Sequence, residues 1–195
     1  MENLPYLIIG LGNPGRSYRQ SRHNIGFMLV DRLAVRLNVS LNRLQSRALV
    51  GATVYNDQRI ILAKPQTFMN LSGQPVSSLL RFYKLPLEHL LVAHDDIDLP
   101  FGALRLRPGG GSAGQKGMTS IIGRLGTQDF PRLRLGIGRP PGRMDAVDYV
   151  LEDFLTEDMP VLSDILESAA DAALAFVVEG LEQAMTRYNN REIGE

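Results

Sequence analysis

His23, Asp95, Asn13 and Asn70 are residues of this 195-residue chain whose types suit cleavage of an ester by water. An imidazole titrates near neutrality without help and can take a proton from water. A carboxylate that accepts the other ring N–H fixes the tautomer and stabilises the imidazolium as it forms. Amide side chains add neutral donors and acceptors that orient water, a carbonyl or a peptide backbone. General-base help of this kind is worth about 10²- to 10⁴-fold in rate. No serine sits in a nucleophile-elbow pattern, which favours direct attack by water. Each residue also has a plainer use: a loop histidine as a cap, Asn70 in a turn, Phe68 and Met69 in the core.

These side chains are useful only if the fold brings them together. Residues 7–9 read as a buried strand, and the apolar spacing of Ile25, Met28, Leu29, Leu33 and Leu37 reads as a helix. Residues 48–55 and 59–63 read as strands joined across Asn56-Asp57. A helix is expected over 74–83, a strand over 90–93, alternating strands around 104–107 and 133–137, and a helix over 118–125. The last third is helical, with Gly180 as a stop and a shorter helix after it. The pattern predicts an α/β fold: a single domain over 1–195, with a twisted, mixed and partly parallel sheet flanked by helices and a helical C-terminal segment. Ligands of open α/β sheets bind beyond the carboxyl ends of the strands. The first strand leads to Asn13 and, through a turn, to His23. The strand ending at Ala63 leads to the 64–73 stretch, and that ending at Ala93 leads to Asp95. If these three strands are parallel neighbours, all four residues share one rim.

Other readings fail on their context. Gly10-x-Gly12-x-x-Gly15 after an apolar run matches the dinucleotide fingerprint in form. Pro14 lacks the N–H that such a turn needs, polar residues separate the turn from the next helix, and Asp31 falls inside that helix. Asp95, Asp96 and Asp98 lack a second carboxylate segment, so no metal and no cofactor is expected. The chain has no cysteine, hence no disulfide framework and no thiolate chemistry. No leader resembling a signal peptide and no apolar run near ~20 residues is seen, so a cytoplasmic protein without membrane contact is expected. Net charge is zero, yet residues 102–143 hold eight basic residues against one acid, and residues 144–195 hold thirteen acids against two arginines. Such polarity can steer a polyanion to one face, or it can reflect a solvated face and an acidic tail helix.

Five blocks occur in order: Gly-Leu-Gly-Asn-Pro-Gly at 10–15, Arg-His-Asn-x-Gly at 22–26, Thr-Phe-Met-Asn-x-Ser-Gly at 67–73, His-Asp-Asp-x-Asp-x-Pro at 94–100, and Arg-x-Arg-x-Gly-x-Gly at 132–138. Together they closely resemble bacterial peptidyl-tRNA hydrolases over nearly the whole chain. The resemblance implies cleavage of the ester between a peptide and the terminal ribose of tRNA, rescuing tRNA from prematurely released peptidyl-tRNA. It implies His23 as general base, Asp95 as its partner, and Asn13 and Asn70 as holders of peptide and water. Tyr18, Phe68 and Met69 fall where that family lines its peptide groove, and Arg107 and Arg134 where it grips the tRNA 5′-phosphate. Residues 102–117 and 139–154 would form a gate and lid, and a monomer is expected. The family commonly has His-Asn-Gly where this chain has Gln115-Lys116-Gly117. Lys116 is a charged donor with no acceptor, so it is expected to change substrate handling without abolishing catalysis. A plant organellar branch that serves RNA splicing supplies the alternative, a non-catalytic RNA-binding module on the same fold.

Overall fold

The computed structural model describes residues 3–190; the ends of the expected 1–195 unit, residues 1–2 and 191–195, lie outside the described residues. Strands β1 (Tyr6–Gly10), β2 (Arg43–Gln45), β3 (Ala48–Tyr55), β4 (Gln58–Pro65), β5 (Leu90–Asp96), β6 (Leu104–Arg107) and β7 (Arg132–Gly136) form one sheet in the order β2-β3-β4-β1-β5-β7-β6. Strands β4, β1, β5 and β7 are parallel, while β3 and β6 run antiparallel to their neighbours β4 and β7. The mixed, partly parallel sheet is the one expected. The β3–β4 hairpin turns on Asn56 and Asp57, both with positive φ (46° and 62°), the conformation that a tight hairpin demands.

The central strands read as continuous apolar runs because helices cover both faces. Ile8, Leu91, Leu133 and Leu135 face helices α1 (Ile25–Arg36), α5 (Met159–Glu179) and α6 (Leu181–Tyr188). Leu7, Ile9, Leu90 and Val92 face α2 (Gly73–Tyr83) and α3 (Lys116–Leu125). Gly180, with φ 89°, separates α5 from α6 at the expected place. Two elements were not anticipated: the three-residue edge strand β2 and a short helix α4 (Ala146–Leu151).

Helix α1 rides unusually close to the sheet. A Cβ on Gly10 would lie 2.0 Å from the Gly26 carbonyl oxygen, and one on Gly26 would lie 2.5 Å from that of Ala93. This contact explains Gly10 of the first motif, as the Phe27 ring, 2.6 Å from where a Cβ on Gly12 would stand, explains Gly12, while Gly15 serves the turn with φ 111°. Gly10 and Gly12 let α1 approach β1 and β5, and α1 starts ten residues beyond Gly15, so the glycine turn opens onto no α-helix. The dinucleotide pattern in the sequence is a packing device.

Candidate active site

Three parallel neighbours, β4, β1 and β5, end at one rim, and a cleft of about 460 Å³ opens there. Asn13, Tyr18, His23, Phe68, Met69, Asn70, Asp95 and Lys116 all line it. His23, Asp95, Asn13 and Asn70 thus share one rim, as expected from the strand ends.

His23 is the cleft histidine among the described residues. His89 lies at the other end of β5, stacked on Tyr6 at 4.3 Å and donating to the Pro5 carbonyl at 3.1 Å. His94 is buried and its Nδ1 contacts the Asp95 carbonyl oxygen at 2.8 Å. Burial pushes the His94 imidazole below its ordinary range and keeps it neutral near pH 7. His23 stands in the 3-10 turn Arg22–Asn24 that leads into α1. Its Nδ1 lies 2.8 Å from Asp95 Oδ2, and the Asp95 side chain is only 2% exposed. With the carboxylate accepting, Nδ1 carries the proton and Nε2 holds the free lone pair.

The Asn13 side chain has one available orientation. Its Oδ1 accepts the Met69 N–H at 2.8 Å, so its NH2 group is the part left for a ligand. Its backbone is pinned by Asn24, whose Oδ1 accepts the Asn13 N–H at 2.8 Å and whose Nδ2 donates to the Asn13 carbonyl at 2.9 Å. Asn24 was unassigned in the sequence, and this pair ties the first motif to the His23 turn. Asn70 lies in the 3-10 turn Met69–Leu71 and is exposed on the cleft wall. Met69 is buried against the α2–α3 core and also lines the cleft. Phe68 departs from the default core reading: it is 58% exposed, on the cleft side of that turn.

The 139–154 stretch is tied to the His23 turn. Helix α4 contributes Val147, Val150 and Leu151 to the cleft. Arg22, next to His23, donates its backbone N–H to the Glu152 carbonyl at 3.0 Å. Its buried guanidinium sits 4.4 Å over the Tyr149 ring and 3.6 Å from Glu152 Oε2. The Tyr149 hydroxyl in turn donates to the Ile137 carbonyl at 2.7 Å.

The 102–117 stretch is tied down at both ends of its glycine run. Arg132 is buried and donates to the carbonyls of Gly110 (2.7 Å), Gly111 (3.2 Å) and Gln128 (2.7 Å). Burial, and after it the Arg134 charge, push its pKa below the ordinary arginine value. At the loop's far end, Gln115 accepts the Met118 N–H at 2.7 Å and donates to Asp95 Oδ1 at 3.0 Å. Neither anchor is marked by any pattern in the sequence. Lys116 follows at the first position of α3, exposed at the cleft, with no carboxylate paired to it among the described residues.

The arginine pair lies on the last two strands of the sheet. Arg107 is exposed on β6; it pairs in register with Arg132, as Arg105 does with Arg134. Cross-strand partners share a face, so these four arginines lie on one side of the sheet. Arg134 donates through Nε to Asp96 Oδ2 at 2.7 Å. No group of three or more potential metal-ligating side chains occurs among the described residues.

A family model described as peptidyl-tRNA hydrolase matches residues 7–195. The peptidyl-tRNA hydrolase of Chloroflexus aggregans is 51% identical over 94% of this chain and 98% of its own. The chloroplastic peptidyl-tRNA hydrolase of Arabidopsis thaliana is 50% identical over 97% of this chain, which spans 66% of that longer protein. The crystal structure of the Acinetobacter baumannii peptidyl-tRNA hydrolase superposes with a TM-score of 0.90 at 33% identity, covering 97% of both chains.

Proposed function

The chain belongs to the peptidyl-tRNA hydrolase family, and we propose that its cleft hydrolyses the peptide–tRNA ester with His23 as general base. The observation that carries this reading is the 2.8 Å His23–Asp95 contact inside a cleft that also holds two asparagine amides. His23 Nε2 removes a proton from a water, whose oxygen attacks the ester carbonyl carbon. Asp95 balances the positive imidazolium as it forms. The tetrahedral intermediate collapses by breaking the bond to the ribose oxygen, which takes the proton back from His23. The products are tRNA with a free hydroxyl and a peptide carboxylic acid, which gives its remaining proton to solvent and becomes a carboxylate. The Asn13 NH2 group and Asn70 orient the peptide carbonyl and the water.

The cleft also supports a preference for acylated amino groups. Phe68, Val147, Val150 and Leu151 give apolar walls suited to a peptide. The two carboxylates among its lining residues are already engaged, Asp95 by His23 and Gln115, and Asp96 by Arg134 and the Asp98 N–H. A free α-ammonium entering this space would lose water and gain no counter-charge. Arg134 keeps both Nη groups for a phosphate while Nε holds Asp96, and with Arg107 it grips the tRNA 5′-phosphate. No helix among the described residues is long and apolar enough to cross a membrane. A monomer working where ribosomes release peptidyl-tRNA, in the cytoplasm, is the reading that the family membership supports.

The test is release of the acyl group from N-acetylaminoacyl-tRNA, with unblocked aminoacyl-tRNA as control. Only the blocked substrate should be cleaved rapidly. Absence of cleavage with salt-sensitive RNA binding would instead support the non-catalytic RNA-binding reading. Lys116 adds an exposed cation where it can meet the substrate carbonyl or the tRNA backbone. Lys116→Asn is expected to raise KM about 2- to 5-fold and leave kcat nearly unchanged, as for an exposed charge contact. Steady-state kinetics at two salt concentrations check this, and unchanged KM at both would remove the role.

A further inference from the structure

We propose that Gln115 is a positioning residue for this hydrolysis, holding the Asp95 carboxylate in the orientation that aims His23. The inference rests on the His23–Asp95 reading above and extends it to a residue outside that pair.

The orientation of the Gln115 amide is set by its partners. Its oxygen accepts the Met118 backbone N–H at 2.7 Å, capping the first turn of α3. Only the oxygen of an amide can accept there, so the nitrogen must face the other way. That nitrogen lies 3.0 Å from Asp95 Oδ1 and 3.3 Å from Met69 Sδ. His23 occupies the other carboxylate oxygen at 2.8 Å. Each oxygen of Asp95 thus has its own donor, from opposite sides of the carboxylate.

The chemistry of the site gives this contact weight. The Asp95 side chain is only 2% exposed, so bulk water does not replace a lost donor. Without Gln115, Oδ1 has no other donor among the described residues, and the carboxylate is free to rotate toward His23 with either oxygen. The imidazole then loses its fixed plane. A neutral amide also suits the place better than a cation, because it orients the carboxylate without competing for the charge that must stabilise the imidazolium. Gln115 is fixed in turn by its backbone N–H donating to the Ser112 carbonyl at 3.0 Å. One amide therefore links the start of α3, the Met69 turn and the reacting strand end.

Two variants separate positioning from capping. Gln115→Glu keeps the side-chain length and the acceptor for the Met118 N–H but replaces the donor to Asp95 with a like charge. Gln115→Met keeps the length and removes both. With N-acetylaminoacyl-tRNA, kcat should fall about 10- to 100-fold in both variants, the size expected for a lost hydrogen bond to a charged group. KM should stay within about twofold, and Tm should fall clearly in Gln115→Met, through the lost cap. NMR of the histidine rings reads the positioning without turnover. His23 should be protonated at Nδ1 in the parent protein, and the Nδ1 proton resonance, held downfield by the carboxylate, should move upfield in the two variants as that hydrogen bond loses its alignment. Unchanged kcat, or an unchanged His23 Nδ1 proton resonance, would overturn the proposal. An inactive parent protein would overturn the hydrolase reading instead, with the NMR measurement still deciding the role of Gln115.

Discussion

His23→Ala is expected to lower kcat on N-acetylaminoacyl-tRNA by about 10²- to 10⁴-fold, the span that general-base catalysis provides. KM should change little, because the apolar walls and the arginine pair proposed to bind substrate remain. Each of the other histidines is unavailable: His94 is buried in the core and His89 lies at the opposite end of β5. The remaining carboxylates of the cleft are held by Gln115 and Arg134 and already accept hydrogen bonds. Single-turnover hydrolysis, with circular dichroism to confirm folding, makes the comparison. A residual rate within about threefold of the parent would place the base elsewhere, since that is far below a general-base effect.

Asp95→Asn should be as damaging, and for a different reason. Gln115 donates toward Oδ1, so it selects the amide oxygen of the new side chain at that position. The asparagine NH2 group is then turned toward His23 Nδ1, which must accept. The imidazole proton moves to Nε2, and the ring can no longer take a proton from water. A loss of about 10⁴-fold accompanies the equivalent change in a serine-protease triad, and a similar order is expected here. Asp95→Ala, which imposes no tautomer, should retain more activity than Asp95→Asn. Measuring both variants at one pH tests the argument, and the reverse order would refute the tautomer mechanism.

The parts of the fold that were legible in the sequence are those whose apolar pattern reports burial. The runs in β1, β4 and β5 mark strands covered on both faces, and the spacing in α1, α2 and α5 marks one-sided helices. The missed elements carry no such pattern. In β2, Arg43 and Leu44 are exposed at the sheet edge. In α4, Val147 and Leu151 face the cleft instead of the core. The same physics divides the site. His23, Asp95, Asn13 and Asn70 have side chains whose chemistry is visible in one dimension, once the strand ends are located. Asn24, Gln115 and Arg132 matter through contacts with residues 11, 20 and 22 positions away, respectively. Nothing local in the chain marks those contacts, and an asparagine, a glutamine or an arginine has too many ordinary uses to be singled out.

The backbone contact between Gly10 and Gly26 works as a gauge for the cleft. His23 is carried by the turn at the head of α1, while Asp95 is carried by β5, against which the same helix rests. The height of that helix above the sheet therefore sets how far apart the imidazole and the carboxylate stand. Replacing a helical glycine by alanine ordinarily firms a protein by removing freedom from the unfolded chain. At Gly26 the added methyl group would lift the helix and carry His23 away from its partner. Rigidity and reactivity are adjusted here by the same missing atom, so neither can be tuned alone.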